Sequence, residues 1–307
     1  LGNIVFSSEW SEDTFYDNIG VYSLPLTADD TPAPLYLSTS TDPNGGGLMY
    51  DGQYSFIHYY EYGSYIYPVY YKYDTDTWEL LDYDELQDIS LFTTASTYDI
   101  TTNNIYGVAY GVDHDGFDLA IVDYDNRERV TIGALDQRYL CMACSPDGQL
   151  YGISLQGELW KIDKETAESS LIGSTGLKPA NYFQSATFDL RNNKLYWAYL
   201  GESDSGIYTV DTTTGAATAS RTFNGQTEIM SLYIAPPEAA ENAPDRVENF
   251  NVSLDGPSLT ADITFTLPAT TYGGEPLSEE LGYFVKVKGL LKAEGTGMPG
   301  ETVSLHI

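Results

Sequence analysis

Hydrophobic and polar residues alternate in short runs over 141–163, CMACSPDGQLYGISLQGELWKID. Runs of this length with a period of two are typical of β-strands. Between the first two runs lies the segment Ser145-Pro146-Asp147-Gly148, in which Pro presets φ and Gly supplies the positive φ of a tight turn. The stretch therefore predicts a strand, a tight turn, a second strand, a short loop and a third strand.

The same pattern recurs along most of the chain, in the segments GGGLMYDGQYSFIHYY, STYDITTNNIYGVAY, ACSPDGQLYGIS and ATFDLRNNKLYWAY. Each segment has a short strand, an Asp, a polar turn and a second strand. The Asp residues are at positions 51, 99, 147 and 189, which gives spacings of 48, 48 and 42 residues. A period in the forties with about four strands in each unit is typical of β-propeller blades.

The third strand of each unit ends at an Asp that a polar turn follows, at Asp74, Asp123, Asp163 and Asp211. An Asp carboxylate in this position accepts hydrogen bonds from the backbone of the turn, so a structural role explains the recurrence. Fourth strands are predicted over 78–83, 129–135, 169–174 and 217–223.

The two ends of this repeat region are each an incomplete unit. Residues 3–10, 19–26 and 33–39 predict a blade that lacks its first strand, and residues 228–235 predict a first strand that lacks its blade. Pairing the two would complete one sheet and remove an open edge, which is a hazard in β architectures. We therefore predict an all-β fold with a five-bladed β-propeller over 1–235.

Beyond the repeats, residues 236–245 are rich in Pro, Ala and acid and are predicted to be a linker. Residues 246–307 form a second predicted domain with sandwich-type strands over 247–254, 258–268 and 282–289, and two more over 290–307. The phrase APDRVENFNVSLDG followed by LTADITFTLPATTYGGEPLS resembles the opening of a fibronectin type III-like module. The resemblance implies a β-sandwich, here without its last two strands, so we expect either a chain that continues past Ile307 or a truncated module.

Composition excludes several classes of function. The 27 Tyr residues favour half-buried pleated surfaces. A formal net charge of −31 repels phosphate backbones and anionic lipids, which argues against nucleic-acid and membrane-surface binding. No apolar run reaches the roughly 18 residues of a membrane span, and no signal peptide is visible at Leu1. The CxxC pair, Cys141 and Cys144, is predicted to be two buried thiols on opposite faces of one strand.

In a propeller the loops that join second to third strands share one face with the loops between blades. Here those loops vary in length and include long segments at 8–18 and 59–68, so we call this the irregular face and the opposite one the regular face. Loops carry function on a rigid scaffold, which makes the irregular face the predicted binding face. The predicted ligand-binding residues are Trp10, Phe15, Tyr16, Tyr60, Tyr62, Tyr65, Phe117 and Tyr182.

Aromatic rings among carboxylates suit a neutral carbohydrate or a peptide, because rings stack on sugars and carboxylates accept bonds from hydroxyls. Packing between blades is the alternative for about half of these tyrosines. The segment Asp113, Asp115 and Asp118 with Gly116 has the oxygen ligands that Ca²⁺ needs, but a hairpin turn with Asp-Gly explains it equally well. No other cofactor is predicted.

The whole chain resembles secreted or surface-anchored proteins of Gram-negative gut bacteria in which a propeller precedes fibronectin-like modules. The resemblance implies an extracytoplasmic location and glycan capture or adhesion, with a glycan or a surface protein as the partner, and implies no catalytic residues. A non-enzymatic binding module is the first hypothesis. A glycoside-active enzyme with carboxylates in the central funnel and a structural scaffold are the alternatives.

Overall fold

The computed structural model describes residues 2–8, 20–26, 33–37, 47–50, 53–62, 65–74, 77, 79–85, 89–111, 113–180, 184–234, 243–257, 260–287 and 290–307. In the strands over 33–37, 47–50, 53–62 and 65–68 it describes the backbone only. The chain divides into two compact units, Leu1–Pro236 and Pro237–Ile307. Within the described residues the single helical element is a 3₁₀ turn at Ile89–Leu91, and no helix is long and apolar enough to cross a membrane.

The described residues of the first unit form twenty strands. In chain order they are β1 Gly2–Ser7, β2 Gly20–Ser23, β3 Ala33–Leu37, β4 Gly47–Tyr50, β5 Gln53–Tyr62, β6 Tyr65–Asp74, β7 Leu80–Glu85, β8 Thr93–Asp99, β9 Asn104–Tyr110 and β10 Phe117–Asp123. They continue as β11 Glu128–Leu135, β12 Tyr139–Cys144, β13 Leu150–Ser154, β14 Glu158–Ile162, β15 Ser169–Ser174, β16 Ser185–Asp189, β17 Lys194–Leu200, β18 Ser205–Val210, β19 Ala217–Phe223 and β20 Thr227–Met230.

These strands form five four-stranded antiparallel sheets in the described part of the chain. Four are meanders of consecutive strands, β4 to β7, β8 to β11, β12 to β15 and β16 to β19, and the fifth has the order β20-β1-β2-β3. The first strands of successive sheets lie side by side, because β8 contacts both β4 and β12, and β12 contacts β16. Meander sheets arranged around their first strands are the architecture of a β-propeller, as the repeat predicts.

Apolar side chains on both faces of the sheets form the core. One cluster joins Tyr70 of β6 to Phe92 and Val122 of the next sheet, and others join each following pair of sheets. The last cluster packs Tyr196 and Ile207 of the sheet β16 to β19 against Ile4, Tyr22 and Ile229 of the sheet that holds β1. Blade sheets buried on both faces explain why so many Tyr and Leu side chains are buried.

The pairing predicted for the two ends is confirmed. β20 is antiparallel to β1, with Asn3 opposite Met230 and Ser7 opposite Thr227. The hydroxyls of Ser7 and Thr227 are 3.2 Å apart, and Ser185 donates a 2.8 Å hydrogen bond to the carbonyl of Ile229. The first and last strands of the unit thus share one sheet.

The turns of the regular face are closed by the recurrent aspartates. Asp163 accepts hydrogen bonds from the amides of Glu165 and Thr166, and Asp211 accepts them from those of Thr213 and Thr214. The fourth residue after the aspartate has a left-handed φ in three of these turns, at Arg127, Ala167 and Gly215. The Asp that ends each third strand is therefore a turn residue, as predicted.

The recurrent aspartate that ends the first strand β8, Asp99, forms an ion pair between two sheets. The Asp99 carboxylate, fully buried, lies 2.6 Å from Nζ of Lys164, which follows β14 in the next sheet. Burial alone would raise the pKa of Asp99, but hydrogen bonds from Lys164 and Thr101 outweigh it and hold the pKa below its usual value. Gly148, at φ 80°, lies over the pair, and a Cβ there would come within 2.5 Å of the Thr101 hydroxyl.

Both cysteines are free and buried, as predicted. Cys141 packs in the cluster shared with the sheet β16 to β19, whereas Cys144 packs in the cluster shared with the sheet β8 to β11. They lie on opposite faces of β12, and burial raises the pKa of both thiols.

We expect a thiol reagent to leave Cys141 and Cys144 unmodified in the native protein at neutral pH, since the thiolate is the reactive form. Both should be labelled at once in denaturant. Mass spectrometry after a short exposure measures this, and rapid labelling of either cysteine in buffer alone would contradict the burial.

The second unit is a small β-sandwich-like pair of sheets. Its strands are β21 Glu248–Asp255, β22 Thr260–Thr266, β23 Leu281–Val287, β24 Leu290–Gly297 and β25 Thr302–His306. One sheet has the order β21-β22-β25 and the other is the pair β23-β24. The core contains Ile263 and Phe265 of β22, with Tyr283 of β23 packed edge-on to Phe265.

Strand β21 carries apolar residues that this core does not cover. Val252 is opposite Ile263 and Leu254 is opposite Ala261, so both share the inward face of the sheet. Leu254 is nevertheless 78% exposed and Val252 42% exposed. The two-stranded sheet is thus too narrow to cover the three-stranded one.

Candidate functional site

The structure corrects the interpretation of residues 59–68 as a long loop. β5 runs to Tyr62 and β6 begins at Tyr65, so only two residues separate the strands. β4 pairs with β5 only as far as Phe56, and β7 pairs with β6 only from Val69 onward. Among the residues that the structure describes, 59–62 and 65–68 therefore pair only with each other, and we call this two-stranded end the hairpin extension.

The extension is four residue pairs long, or about 13 Å at the usual rise per strand residue. It lies at the irregular face, because the link between β5 and β6 joins a second to a third strand. Three predicted ligand-binding residues, Tyr60, Tyr62 and Tyr65, are in it. The sequence analysis placed these residues in a loop, whereas the structure places them in paired strands.

The register of the extension is continuous and places tyrosines at four positions of one face. Tyr60 is opposite Tyr67 and Tyr62 is opposite Tyr65, whereas Tyr59 opposite Pro68 and Glu61 opposite Ile66 occupy the other face. Alternation along β6 puts Tyr70 and Lys72 on that second face. Tyr70 stacks on Tyr124 of the next sheet at 4.9 Å, and Lys72 pairs with Asp125, so this second face of β6 packs on that sheet. Positions 60, 62, 65 and 67 share the first face with Val69, Tyr71 and Tyr73, which are all buried.

A second aromatic group lies at the irregular end of the neighbouring sheet. Tyr110 and Phe117 are cross-strand neighbours of β9 and β10, with ring centroids 5.4 Å apart. Phe92 stacks on Tyr110 at 6.0 Å, and the Arg138 guanidinium lies 5.6 Å from the Phe117 ring centroid. Because Tyr110 and Arg138 already cover Phe117, this predicted ligand-binding residue packs within the protein.

The loop between these strands, residues 111–116, is a hairpin loop closed by the amide of Gly111 donating to the carbonyl of Gly116 at 2.9 Å. Asp118 is buried, and its carboxylate accepts hydrogen bonds from Arg129 at 2.5 Å and His114 at 2.8 Å. The hydrogen bond to Asp118 raises the pKa of His114. The loop is thus held to the sheet through its only histidine.

Calcium binding by Asp113, Asp115 and Asp118 stays a prediction. Asp118 is neutralised by Arg129 and turned toward the sheet. Across the described ranges, no group of three or more His, Cys, Asp or Glu side chains is arranged to hold a metal ion. The alternative explanation, a hairpin with an Asp-Gly turn, agrees with the structure.

The carboxylates of the first unit fall into two groups: those that accept hydrogen bonds from their own turns, and exposed ones that make no side-chain hydrogen bond to a described residue. On the regular face the aspartates accept hydrogen bonds from their own turns. On the irregular face the side chains of four exposed acids make no hydrogen bond to a described residue, namely Asp113, Asp115, Asp136 and Glu202. On the regular face Glu165 and Glu168 are likewise exposed, and their side chains make no hydrogen bond to a described residue.

The other predicted site residues, Trp10, Phe15, Tyr16 and Tyr182, lie outside the described residues. Sequence reasoning did not include Tyr67, which lies opposite Tyr60 in the pairing of β5 with β6. It also missed Tyr110, which the repeat placed at the end of a second strand and which 43% exposure marks as a surface residue.

The carboxylates whose pKa shifts in the described part of the chain all shift downward. Hydrogen bonds from turn amides lower the pKa of Asp163 and Asp211, and the Lys164 pair lowers that of Asp99. A general acid of a glycosidase needs the opposite, a raised pKa. The lowered pKa values of these three aspartates are therefore explained by hydrogen bonds within turns and by one ion pair.

No protein-family model matches this chain, and no curated protein is significantly similar to it in sequence. Among solved structures it is similar to a putative TolB from Agrobacterium tumefaciens, with 15% identity, a TM-score of 0.46 and coverage of 68% of this chain and 76% of the other. A nidogen/laminin complex chain has 11% identity, a TM-score of 0.43 and coverage of 70% and 75%.

An auxiliary nutrient binding protein from Bacteroides ovatus has 10% identity and a TM-score of 0.38, with coverage of 74% of this chain and 53% of the other. The chain thus spans about half the length of that protein. Nothing about a ligand follows from similarities at this level.

Proposed function

We propose that this chain is a non-enzymatic, extracytoplasmic binding module that captures a neutral carbohydrate at the irregular face of a five-bladed propeller. We propose that the second unit is a fibronectin type III-like module. The single observation that carries the proposal is a group of four exposed acids at the irregular face, Asp113, Asp115, Asp136 and Glu202, whose side chains make no hydrogen bond to a described residue.

Charge supports the choice of ligand. A chain of net charge −31 repels anionic polymers, and its unpaired carboxylates accept hydrogen bonds from hydroxyls. Sugars supply many hydroxyls in one plane.

A glycan array probed with the whole chain, followed by titration calorimetry, tests the proposal. We expect the double change Asp113→Asn and Asp115→Asn to weaken binding several-fold with an unchanged melting temperature, because both acids are exposed. The matched control, Asp211→Asn on the regular face, should lower the melting temperature without changing the affinity. A parent protein that binds no carbohydrate on the array would overturn the proposal in favour of a protein ligand or a scaffold.

A further inference from the structure

We propose that Asn224 is a site of spontaneous modification, at which the side-chain amide is lost and the main chain rearranges to isoaspartate. The inference goes beyond the proposed function and does not depend on it. It starts from the dipeptide Asn224-Gly225, in the loop that joins β19 to β20 at the irregular face. Among the asparagines that the structure describes, Asn224 is the one that a glycine follows.

The reaction needs only these two residues, a base and water. The backbone nitrogen of Gly225 gives up its proton to the base and attacks Cγ of Asn224. A C–N bond forms and ammonia leaves, which closes a succinimide ring. Water then opens the ring at one of its two carbonyls and gives either aspartate or isoaspartate. No oxidant or reductant takes part, so the chain in buffer contains everything that the reaction requires.

The structure leaves both reacting groups accessible. Asn224 and Gly225 are exposed. Neither the Asn224 side-chain amide nor the Gly225 N–H makes a hydrogen bond in the described part of the chain. A backbone N–H within a strand ladder is held by its acceptor and shielded from base. The attack by Gly225 therefore has no such hydrogen bond to break, and glycine has no Cβ to hinder the closing ring.

The fold requires glycine at position 225 but does not require asparagine at position 224. Gly225 has a φ of 85°, in the left-handed region that favours glycine. A Cβ at this position would also lie 2.3 Å from Oγ of Ser8. The Asn224 side chain, by contrast, makes no hydrogen bond that the loop would lose. The reactive dipeptide can therefore be removed by changing Asn224 alone.

The residues that follow the reactive bond anchor β20 to β1. The Gly225 carbonyl accepts a 2.9 Å hydrogen bond from the Ser205 hydroxyl. The Gln226 amide donates to the Ser8 hydroxyl at 2.9 Å, and the Ser8 amide donates to the Gln226 carbonyl at 2.7 Å. Isoaspartate adds a methylene group to the main chain immediately before these contacts. The rearrangement displaces their partners and weakens the pairing of β1 with β20.

The chain contains two matched controls. Asn193 is also exposed and its side chain makes no hydrogen bond in the described residues, but it precedes Lys194 instead of a glycine. The variant Asn224→Gln keeps a side-chain amide, which closes a larger ring far more slowly. The sequence has a second Asn-Gly dipeptide at 44–45, outside the described residues. All proteins in the test therefore carry Asn44→Gln.

The test incubates the whole chain in mildly alkaline buffer at physiological temperature and follows each asparagine by peptide mapping with mass spectrometry. We expect Asn224 to lose its amide about tenfold faster than Asn193, because only Asn224 precedes a glycine. Isoaspartate should exceed aspartate among the products. The aged protein should melt at least about 2 °C below the fresh one, the shift expected for one lost hydrogen bond in a unit of this size. Asn224→Gln should melt alike before and after incubation.

Three results would overturn the inference. Equal rates at Asn224 and Asn193 would show that the fold protects the Asn-Gly bond. A product that contains aspartate without isoaspartate would remove the rearrangement of the main chain. An aged parent that melts like the fresh protein, or an equal loss of melting temperature in Asn224→Gln, would remove the effect on the pairing of β1 with β20.

The outcome is independent of the proposed function, because no measurement in this test involves a ligand. A chain that binds no carbohydrate can still lose the amide of Asn224, and a chain that keeps the amide can still bind carbohydrate.

Discussion

Deleting residues 228–235 should abolish the cooperative unfolding transition of the first unit. The deletion removes most of β20 and with it the buried side chains of Ile229, Met230 and Leu232. At about 1.5–3 kcal/mol for each side chain, the loss is about 5 to 9 kcal/mol, which is comparable with the whole stability of a typical domain at about 5–15 kcal/mol. It also leaves one edge of β1 unpaired.

Circular dichroism during thermal unfolding measures this effect. The matched control is a chain that ends at Pro236, the boundary between the two units, which keeps β20 intact. It should retain the transition, whereas a chain that ends at 226 should lose it. Two truncations that unfold alike would mean that the pairing of β1 with β20 does not hold the unit together.

Changing Lys164 to Met should destabilise the protein by about 3 kcal/mol, because it leaves the buried Asp99 carboxylate without its cation. Removing one partner of a buried pair costs about 3–5 kcal/mol, and the low end applies since Lys164 is 24% exposed. Lys161→Met is the matched control, because Lys161 lies at an exposed position of β14, three residues before Lys164. Urea unfolding of both variants measures the difference.

The effect should depend on pH in a defined direction. The pKa of Asp99 is lowered in the folded state, so its contribution is present above the unfolded pKa of about 3.9 and is lost as pH falls through the folded value. The pKa of Lys164 is raised despite its burial, because Asp99 accepts its hydrogen bond. The gap between parent and Lys164→Met should be constant at neutral pH and narrow below about pH 4, and a constant gap down to pH 2 would contradict this assignment.

The repeat made the sheets predictable because each turn carries its own local signal. The Asp that ends a third strand is followed four residues later by the left-handed residue that closes the turn, at Ala167 and Gly215. Such signals are local, so a period of 42 to 48 residues is visible without any structure. The pairing of β1 with β20 was predictable for a different reason, since each end is an incomplete unit.

The hairpin extension was not predictable by the same route because its sequence mixes strand and loop signals. Gly63, Ser64 and Pro68 favour a loop, and the surrounding tyrosines alternate on both faces. Pro68 lies in β6 one residue before the described pairing with β7 begins at Val69, and Pro in a sheet is usual where a strand has no partner for its N–H. The Gly-Ser dipeptide is the signal of a two-residue hairpin turn that outweighed the loop composition.

The location of the candidate site on the irregular face stays a prediction, whereas the structure shows how some of its predicted members pack. Acid and aromatic residues gather at the irregular face because loops tolerate them, and this holds for Asp113 as for Tyr62. Packing changes the role of individual residues: Phe117 is covered by Tyr110 and Arg138, and Asp118 is neutralised by Arg129. Such contacts join residues distant in sequence, and no local pattern indicates them.

The pairing of Asn3 with Met230 has a consequence for biosynthesis. The amino-terminal strands leave the ribosome first, but the partner of β1 follows only after some 220 further residues, on the order of 10 to 45 s later at ordinary translation rates. The four meander sheets form from neighbouring strands during that time, while β1 keeps an unpaired edge. A factor that shields this edge, or export of the chain before it folds, would protect the nascent protein from edge-to-edge association.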